Sequence, residues 1–334
     1  MRAVVLVGGF GTRLRPLTYT IPKPMLTVGH VSIIERLIAN LVRGGVDDVT
    51  LALGFKPEPF LAAFPDGTCA GATLHYAVEP APLDTAGAIR FAAESRGIDD
   101  TFVVANGDVL TDLDIAALVA FHRDRSAEAT LHLIGVDDPS SFGVVAVDDR
   151  GRVERFVEKP APGTAPSNLI NAGTYVLEPS VVQRIEPDVQ VSIERVTFPA
   201  IVADQGVFGM ATDDYWIDTG RPDFYLRANL DVISGRRPHD VSDAIAPGAR
   251  IHATGCVENS VVAAGASVGA GAVVRDSVLL DGAVVADNAT VRASVVLGRI
   301  GASAHVDDCV IGAAGEVDAA EHLAGARRPD PDAP

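Results

Sequence analysis

The first 236 residues alternate short apolar runs with segments whose apolar residues recur every three to four positions. The short runs predict buried strands, and the periodic segments predict amphipathic helices. The predicted strands are 3–7, 49–53, 73–78 and 102–105, and the predicted helices are 32–43, 86–94 and 115–123. This alternation is typical of an α/β domain with a mostly parallel sheet, whose ligands bind at the carboxyl ends of the strands.

After Pro238 helical periodicity ends, and branched aliphatic residues recur at intervals of six. A hexapeptide period predicts a parallel β-helix in which each coil buries aliphatic residues. The series restarts several times, and we interpret these slips as loops or irregular corners. Its members are Ile245, Ile251, Val257, Val262, Val268, Val274, Leu280, Val285, Val291, Leu297, Ile300, Val306, Ile311 and Val317. We therefore predict a catalytic α/β domain over 1–236, a β-helix over 237–322, and a disordered tail over 323–334 that buries little.

Composition narrows the class of protein. A chain of 334 residues exceeds the usual size of one hydrophobic core, which favours two domains. The formal net charge of −17 argues against nucleic acid and anionic membranes as partners, and no apolar run is long enough to span a bilayer. Strand character begins at once, so we expect no signal peptide. Three separated cysteines form no CxxC pair, which favours a cytoplasmic protein without disulfides or structural zinc.

The first predicted strand leads into a glycine-rich loop (residues 8–18, GGFGTRLRPLT). Its glycines leave backbone N–H groups free to face a phosphate chain, and Arg13 and Lys23 add positive charge. Leu14 stands where the dinucleotide-binding fingerprint needs a third glycine, and the Gly-Lys-Ser/Thr of a Walker A loop is absent. The loop therefore predicts a phosphate site of a different kind.

Together with Pro22-Lys23-Pro24, this loop resembles the signature of sugar-1-phosphate nucleotidyltransferases. The resemblance implies a Rossmann-like catalytic domain that transfers a nucleotidyl group from a nucleoside triphosphate to a sugar 1-phosphate. The hexapeptides resemble the left-handed β-helix attached to many such enzymes. Arg13 and Lys23 are then expected to neutralise the triphosphate and the departing pyrophosphate. The nucleotide-binding residues implied in this loop are Gly8, Gly9, Gly11, Thr12 and Arg13.

Nucleotidyl transfer needs no protein nucleophile, because an oxygen of the sugar phosphate attacks the α-phosphorus directly. Catalysis then rests on positioning and charge neutralisation, and one Mg²⁺ ion held by carboxylates is expected. Asp108 ends the strand-like VVANGD segment, in which Gly107 permits close approach of the nucleotide, and Asp218 lies in YWIDTG. Both segments match the motifs that supply metal ligands in the family, so the resemblance assigns the metal to these two aspartates.

The expected sugar-phosphate site includes the segment Phe156-Val157-Glu158-Lys159-Pro160. On its own this segment is typical of an exposed turn. The resemblance assigns Lys159 to the sugar phosphate as a catalytic residue and Glu158 to the sugar hydroxyls. The Gly143 backbone is expected to pack on the sugar, and the Asn171 amide is expected to bridge hydroxyls.

The base is expected to bind near residues 76–87, with nucleotide contacts at Thr85, Ala86 and Gly87. Many relatives have glycine where this chain has Asp84, and we expect Asp84 to cap the helix that follows. Glu79 stands where uridine- and thymidine-using relatives commonly have Gln. A carboxylate only accepts hydrogen bonds and suits the adjacent N1–H and N2–H of guanine. Glu79 therefore favours GTP.

In the segments 168–181, 191–195, 198–199 and 215–218, and at Phe224, the chain looks most like the mannose-1-phosphate guanylyltransferases within the family. Alternatives are a glucose-1-phosphate thymidylyl- or uridylyltransferase, a heptose-1-phosphate guanylyltransferase, and a non-catalytic nucleotide-sugar sensor. A sensor would be expected to lose a metal aspartate or the Arg13/Lys23 pair. Acyl transfer by the β-helix would need a general-base histidine, and His252 and His305 have no recognisable partner motif. We expect the β-helix to mediate homo-oligomer formation.

Overall fold

A computed structural model describes residues 1–9, 11–54, 57–237 and 240–331. The chain divides into two compact units, Met1–Gly9 with Ile34–Trp216, and Phe10–Ile33 with Ile217–Pro334. Most of the glycine-rich loop therefore groups with the C-terminal part of the chain. Phe10 of this loop and Pro238, where the sequence pattern changes, lie outside the described residues. The predicted boundary near residue 236 stays a prediction.

Before the hexapeptide region, strands and helices alternate as the hydrophobic pattern predicts, with bounds within two residues of those expected. The strands are β1 (Arg2–Leu6), β2 (Thr27–Val28), β3 (Val31–Ser32), β4 (Asp48–Leu53), β5 (Thr68–Cys69), β6 (Ala72–Val78), β7 (Phe102–Asn106), β8 (Val109–Thr111), β9 (Ala129–Gly135), β10 (Gly143–Val147), β11 (Val153–Glu158), β12 (Leu169–Leu177), β13 (Val207–Thr212) and β14 (Trp216–Asp218). The α-helices are α1 (Ile33–Arg43), α2 (Glu58–Ala63), α3 (Asp84–Ser95), α4 (Ile115–Arg125), α5 (Pro179–Gln183), α6 (Phe198–Ala203) and α7 (Pro222–Ile233). A π-helix spans Ile193–Thr197, and short 3-10 helices span Thr12–Leu14, Leu17–Tyr19 and Lys23–Met25.

The first unit is built on a ten-stranded mixed sheet. Strands β7, β1, β4 and β6 are parallel neighbours in that order, and β12 runs antiparallel beside β7. The core against this sheet includes Val4, Val104 and Leu131, all fully buried. Tyr175 packs edge-on against Phe198 with ring centroids 5.0 Å apart. Each such side chain contributes about 1.5–3 kcal/mol through removal of apolar surface from water, so the sheet is a rigid platform for the loops at its ends.

The hexapeptide region forms three sheets, each of five parallel strands stacked coil on coil, consistent with the expected left-handed β-helix. Its strands are β15 (Arg250–Ile251), β16 (Cys256–Glu258), β17 (Val261–Val262), β18 (Ser267–Val268), β19 (Val273–Arg275), β20 (Val278–Leu279), β21 (Val284–Val285), β22 (Thr290–Arg292), β23 (Val295–Val296), β24 (Arg299–Ile300), β25 (His305–Asp307), β26 (Val310–Ile311), β27 (Glu316–Val317), β28 (His322–Ala324) and β29 (Arg327–Arg328).

The slips in the hexapeptide series have a regular structural cause. Val262, Leu279, Val296 and Ile311 stack in register on one side of the β-helix. Each follows a left-handed residue in the preceding corner, such as Asn259 at φ 42°. That corner shortens one side of every coil, so most slips are tight turns rather than loops. The register also corrects two residues of the series, since Leu279 and Val296 stand where Leu280 and Leu297 were predicted.

A ladder of hydroxyl groups supports these corners. The N–H of Ser277 donates to Oγ of Ser260 at 3.0 Å, and the N–H of Ser294 donates to Oγ of Ser277 at 3.1 Å. Cys309 N–H continues the ladder to Ser294. These serines are buried, so each Oγ satisfies a backbone donor that would otherwise be costly to bury.

The prediction of a disordered tail from residue 323 is wrong as far as Arg328. Strands β28 and β29 pair with the preceding coil, with Leu323 beside Val306 and Arg328 beside Ile311. Backbone pairing and the packing of Leu323 against the β-helix core supply the stabilisation that the polar composition concealed. Residues 332–334 lie outside the described part of the chain. Among the described residues, each helix is too short or too polar to traverse a bilayer.

Candidate active site

Three charged side chains meet at one glycine of the second unit. Lys23 Nζ lies 3.1 Å from Asp218 Oδ1, and Arg13 Nη2 lies 3.9 Å from Asp218 Oδ2. A Cβ atom on Gly220 would lie 2.7 Å from Arg13 Nη2 and 3.0 Å from Lys23 Nζ. The structure thus joins two basic residues from the start of the chain to an aspartate that lies 195 residues after Lys23. Gly220 leaves them room, a role that its sequence motif did not reveal.

The two cations differ in exposure. The Lys23 side chain is only 7% exposed, whereas that of Arg13 is 65% exposed. Burial of an ammonium group is tolerated when a carboxylate pairs with it, as Asp218 does here. The Lys23 side chain is therefore held in position, and the Arg13 side chain projects into solvent from its turn.

Short helical turns hold the glycine-rich loop in shape. Gly11 adopts φ 57°, a left-handed conformation that suits glycine, just before the 3-10 helix Thr12–Leu14. Thr18 donates from Oγ1 to the Gly11 carbonyl at 2.8 Å. Thr12 and Arg13 are exposed on this turn. Thr18 is a second residue whose role was missed, although it lies within the glycine-rich loop.

In the first unit, Asp108 follows Gly107 in the turn between β7 and β8. Gly107 donates from its N–H to the Leu6 carbonyl at 2.8 Å, and a Cβ there would lie 2.7 Å from Val7 Cγ1. Gly107 is therefore required by close packing of the two strand ends. Gly8 and Gly9 follow β1, and a Cβ on either would meet no atom within 4 Å. Gly9 has φ 114°, which other residues rarely adopt.

The predicted sugar-binding residues Gly143 and Glu158 lie together on the β10–β11 hairpin. A Cβ on Gly143 would lie 2.8 Å from Phe156 Cζ and 2.9 Å from Glu158 Oε2. Glu158 Oε1 is 3.7 Å from Lys159 Nζ. Burial raises the pKa of the Glu158 carboxyl, and the nearby negative charge of Glu194 adds to the rise. Lys159 has φ 49°, a strained conformation for a residue with a side chain, and such strain clusters at functional sites.

Asn171 lies at an irregularity in β12, where the register with β9 shifts between Asn171 and Tyr175. Its Nδ2 donates to the Tyr175 hydroxyl at 2.8 Å, and its Oδ1 accepts from Gly173 N–H at 3.0 Å. A Cβ on Gly173 would lie 2.6 Å from Asn106 Nδ2. The middle of β12 therefore packs against the end of β7, the strand that leads to Asp108, and the amide of Asn171 is oriented by the chain's own groups.

Glu79 follows β6, and its Oε2 accepts a hydrogen bond from Leu83 N–H at 3.0 Å. Burial raises the pKa of this carboxyl, and the hydrogen bond from Leu83 opposes the rise. The prediction that Asp84 is the N-cap of the next helix is wrong, because Leu83 occupies the N-cap position and Asp84 is the first residue of α3. Asp84 has φ 58°, and its Oδ1 accepts a hydrogen bond from the N–H of Thr85 at 2.8 Å. This left-handed backbone is one that glycine adopts without strain.

The remaining predicted nucleotide contacts are engaged within the protein. Ala86 and Gly87 donate from their N–H groups to the Val191 carbonyl at 2.8 and 3.3 Å. Thr85 Oγ1 lies 2.8 Å from Glu194 Oε2. In the described structure these groups hold the start of α3 against the segment before the π-helix, and their nucleotide contacts stay a prediction. Glu194 was missed as an organising residue, although it stands in a stretch that carried the family resemblance.

The expected magnesium site depends on which carboxylates could bind the ion. Among the described residues, no three His, Cys, Asp or Glu side chains form a group able to hold a metal ion. Mg²⁺ is usually bound by one or two carboxylates, with substrate phosphates and water as the other ligands. Asp108 and Asp218 supply hard oxygen donors of that kind. Each of these carboxylates by itself therefore fits Mg²⁺ only in company with phosphate oxygens and water.

Comparison with known proteins supports the family resemblance of the glycine-rich loop and the fold of the sheet. The nucleotidyl transferase family model matches residues 2–235, and the model of a GlmU-like C-terminal hexapeptide region matches residues 236–328. The chain belongs to the nucleotidyl transferase family. It is a sugar-1-phosphate nucleotidyltransferase with an appended hexapeptide domain.

Relatives and solved structures describe the similarity further. The chain is 40% identical to a mannose-1-phosphate guanylyltransferase of Mycobacterium tuberculosis, over 74% of this chain and 72% of that protein. It is 39% identical to a mannose-1-phosphate guanyltransferase of Schizosaccharomyces pombe, over 75% and 69% of the two chains. The crystal structure of HddC from Yersinia pseudotuberculosis, also solved in complex with GMP-PN, is 28% identical. In the complex its TM-score is 0.58, over 68% of this chain and 97% of that one.

Proposed function

We propose that this enzyme transfers the guanylyl group of GTP to mannose 1-phosphate, giving GDP-mannose and pyrophosphate. The observation that carries the proposal is the convergence of Lys23 and Arg13 on Asp218 around Gly220, which supplies fixed positive charge for a triphosphate. The choice of substrates is supported by the similarity to proteins named as mannose-1-phosphate guanylyltransferases.

In the proposed reaction an oxygen of the sugar phosphate attacks the α-phosphorus of GTP. The bond between the α-phosphorus and the bridging oxygen to the β-phosphorus breaks, and pyrophosphate leaves with that electron pair. Lys23 and Arg13 neutralise the negative charge that develops on the leaving group. Lys159 orients the attacking phosphate, and Glu158 accepts hydrogen bonds from sugar hydroxyls. No covalent intermediate with the protein is required.

We further propose that Asp108 and Asp218 hold Mg²⁺ when the nucleotide is bound. The ion would neutralise charge on the phosphate oxygens. The part of Lys23 is then to orient the Asp218 carboxylate, since its Nζ lies 3.1 Å from Asp218 Oδ1.

Guanine selection is proposed to rest on Glu79. One carboxylate oxygen is used by the Leu83 N–H, which fixes the orientation of the group relative to α3. The other oxygen is a further acceptor, and guanine presents two adjacent donors on its Watson–Crick edge. A uracil or thymine edge presents one donor between two acceptors, which would face the carboxylate unfavourably.

The test is an array of GTP, UTP, dTTP and ATP against mannose, glucose and heptose 1-phosphates, with pyrophosphate release as the measurement. The proposal expects the highest kcat/KM for GTP with mannose 1-phosphate, and loss of turnover when EDTA removes divalent ions. A preference for UTP or dTTP would overturn the guanine assignment. Absence of turnover with every pair would instead favour the nucleotide-sugar sensor. Cytoplasmic location and homo-oligomer formation stay predictions.

A further inference from the structure

The last two coils of the β-helix contact the glycine-rich loop and the residue just after it. Arg327 on β29 donates from Nη1 to the Arg15 carbonyl at 3.2 Å. A Cβ on Gly312, which directly follows β26, would lie 2.8 Å from Pro16 Cβ. The Tyr19 hydroxyl lies 3.5 Å from the Pro331 carbonyl. All of these residues belong to the second compact unit.

Gly312 has no room for a side chain. It is buried, and its N–H donates to the Arg328 carbonyl at 2.7 Å, so its backbone is held by the neighbouring coil. On its other side an added Cβ would also lie 3.0 Å from the Pro16 carbonyl oxygen. A side chain at this position must therefore displace either the coil or the loop.

The turn that the β-helix contacts is the turn that carries Arg13. Arg15 closes the 3-10 helix Thr12–Leu14, and its N–H donates to the Thr12 carbonyl at 3.2 Å. The Arg13 side chain is largely exposed, and its ion pair with Asp218 is long at 3.9 Å. An exposed ion pair of this length holds a side chain weakly. The position of the Arg13 guanidinium therefore depends mainly on the backbone turn beneath it.

We infer that the end of the β-helix is a positioning element for the nucleotide site, in which Arg327 and Gly312 fix the turn that presents Arg13. The expected effect on the KM for GTP rests on the proposed function. A turn that is rigid before the nucleotide binds avoids the entropy cost of ordering it afterwards. Arg327 and Gly312 act through Arg15 and Pro16, so they are positioning residues rather than catalytic ones.

The kinetic test is Arg327→Ala in the full chain, with KM and kcat measured separately for GTP and mannose 1-phosphate. We expect the KM for GTP to rise about fivefold, because GTP must then order a turn that has lost one hydrogen bond to a backbone carbonyl, and the KM for the sugar phosphate to stay constant. Arg327→Lys, which retains a hydrogen-bond donor, should have a KM for GTP close to that of the wild type. Arg299→Ala, an exposed arginine on a different sheet of the β-helix, is the matched control and should match the wild type.

A second measurement does not depend on turnover. The N–H groups of Leu14, Arg15 and Tyr19 donate within the turns of this segment, and their hydrogen exchange reports whether those turns open. Exchange should be faster in Arg327→Ala and Gly312→Ala than in the wild type and Arg299→Ala. Unchanged exchange in both variants, or equal KM increases for both substrates, would overturn the positioning role. Faster exchange in a protein without guanylyltransferase activity would refute the proposed function and leave the positioning role standing.

Discussion

Replacing Glu79 with Gln is expected to weaken the preference of the enzyme for GTP over UTP. The carboxylate uses Oε2 to accept the Leu83 N–H, and that donor still needs an acceptor in the variant. The amide oxygen of Gln should therefore keep this hydrogen bond. Its NH₂ group then replaces Oε1, the second acceptor, with a donor. The fold should be almost unaffected, because the hydrogen bond that orients the side chain is kept.

The size of the change in base preference follows from the hydrogen bond to a charged acceptor that guanine loses in the variant. A hydrogen bond to a charged group contributes about 1.5–3 kcal/mol, which corresponds to about 10- to 150-fold in kcat/KM. With GTP the variant loses a charge-assisted acceptor and places a donor against a donor. With UTP the same NH₂ group can donate to a carbonyl of uracil. The ratio of kcat/KM for GTP to that for UTP should therefore fall by at least the lower of these factors.

The assay is pyrophosphate release at matched concentrations of GTP and UTP, with Glu154→Gln on the exposed face of β11 as a control. Burial raises the pKa of Glu79, so the wild type should lose GTP affinity as the pH falls toward that raised pKa, because a protonated carboxyl is a poorer acceptor. The Gln variant should lack this dependence. An unchanged GTP-to-UTP ratio in Glu79→Gln would refute the reasoning.

Three further outcomes are expected. Asp108→Asn should abolish turnover and leave the thermal unfolding temperature unchanged; activity at the wild-type level would remove Asp108 from the metal site. Gly143→Ala should raise the KM for the sugar phosphate about tenfold with the KM for GTP unchanged, because the new Cβ would lie 2.9 Å from Glu158 Oε2 and displace it; equal changes in both KM values would argue against a sugar-specific effect. Burial lowers the pKa of His132 from 6.5 to about 4. The unfolded chain takes up this proton as the pH falls below 6.5 while the native state resists it down to about 4, so the free energy of unfolding should fall by about 3 kcal/mol across that window. Urea titrations at several pH values should show a smaller fall for His132→Gln, and an equal fall would exclude His132 as the cause.

Local patterns in the sequence predicted the strands and helices of the catalytic region closely. Short apolar runs such as that of β1 favour strands buried within a sheet, and amphipathic periods such as that of α1 favour helices with one face against a core. The glycine-rich loop also carried its own meaning, because its glycines and basic residues are consecutive in the chain. The family and the class of reaction could therefore be predicted from the order of residues alone.

Other features depend on contacts between residues distant in the chain. The occupation of the Ala86 and Gly87 N–H groups by the Val191 carbonyl required α3 and the later segment to meet. The error at Asp84 has a local origin, because an aspartate that caps a helix and one that begins a helix with a left-handed backbone look alike in sequence. The tail beyond residue 323 appeared too polar to fold, yet pairing with an existing coil satisfies its backbone.

The sequence by itself determined which elements form and which chemistry the chain carries, since both depend on neighbouring residues. Tertiary structure alone decided that Lys23 is buried against Asp218, that Gly220 makes room for this pair, and that Arg327 reaches the turn of Arg13. Burial, close approach and hydrogen bonding across hundreds of residues arise only when the chain is packed, and no local pattern encodes them.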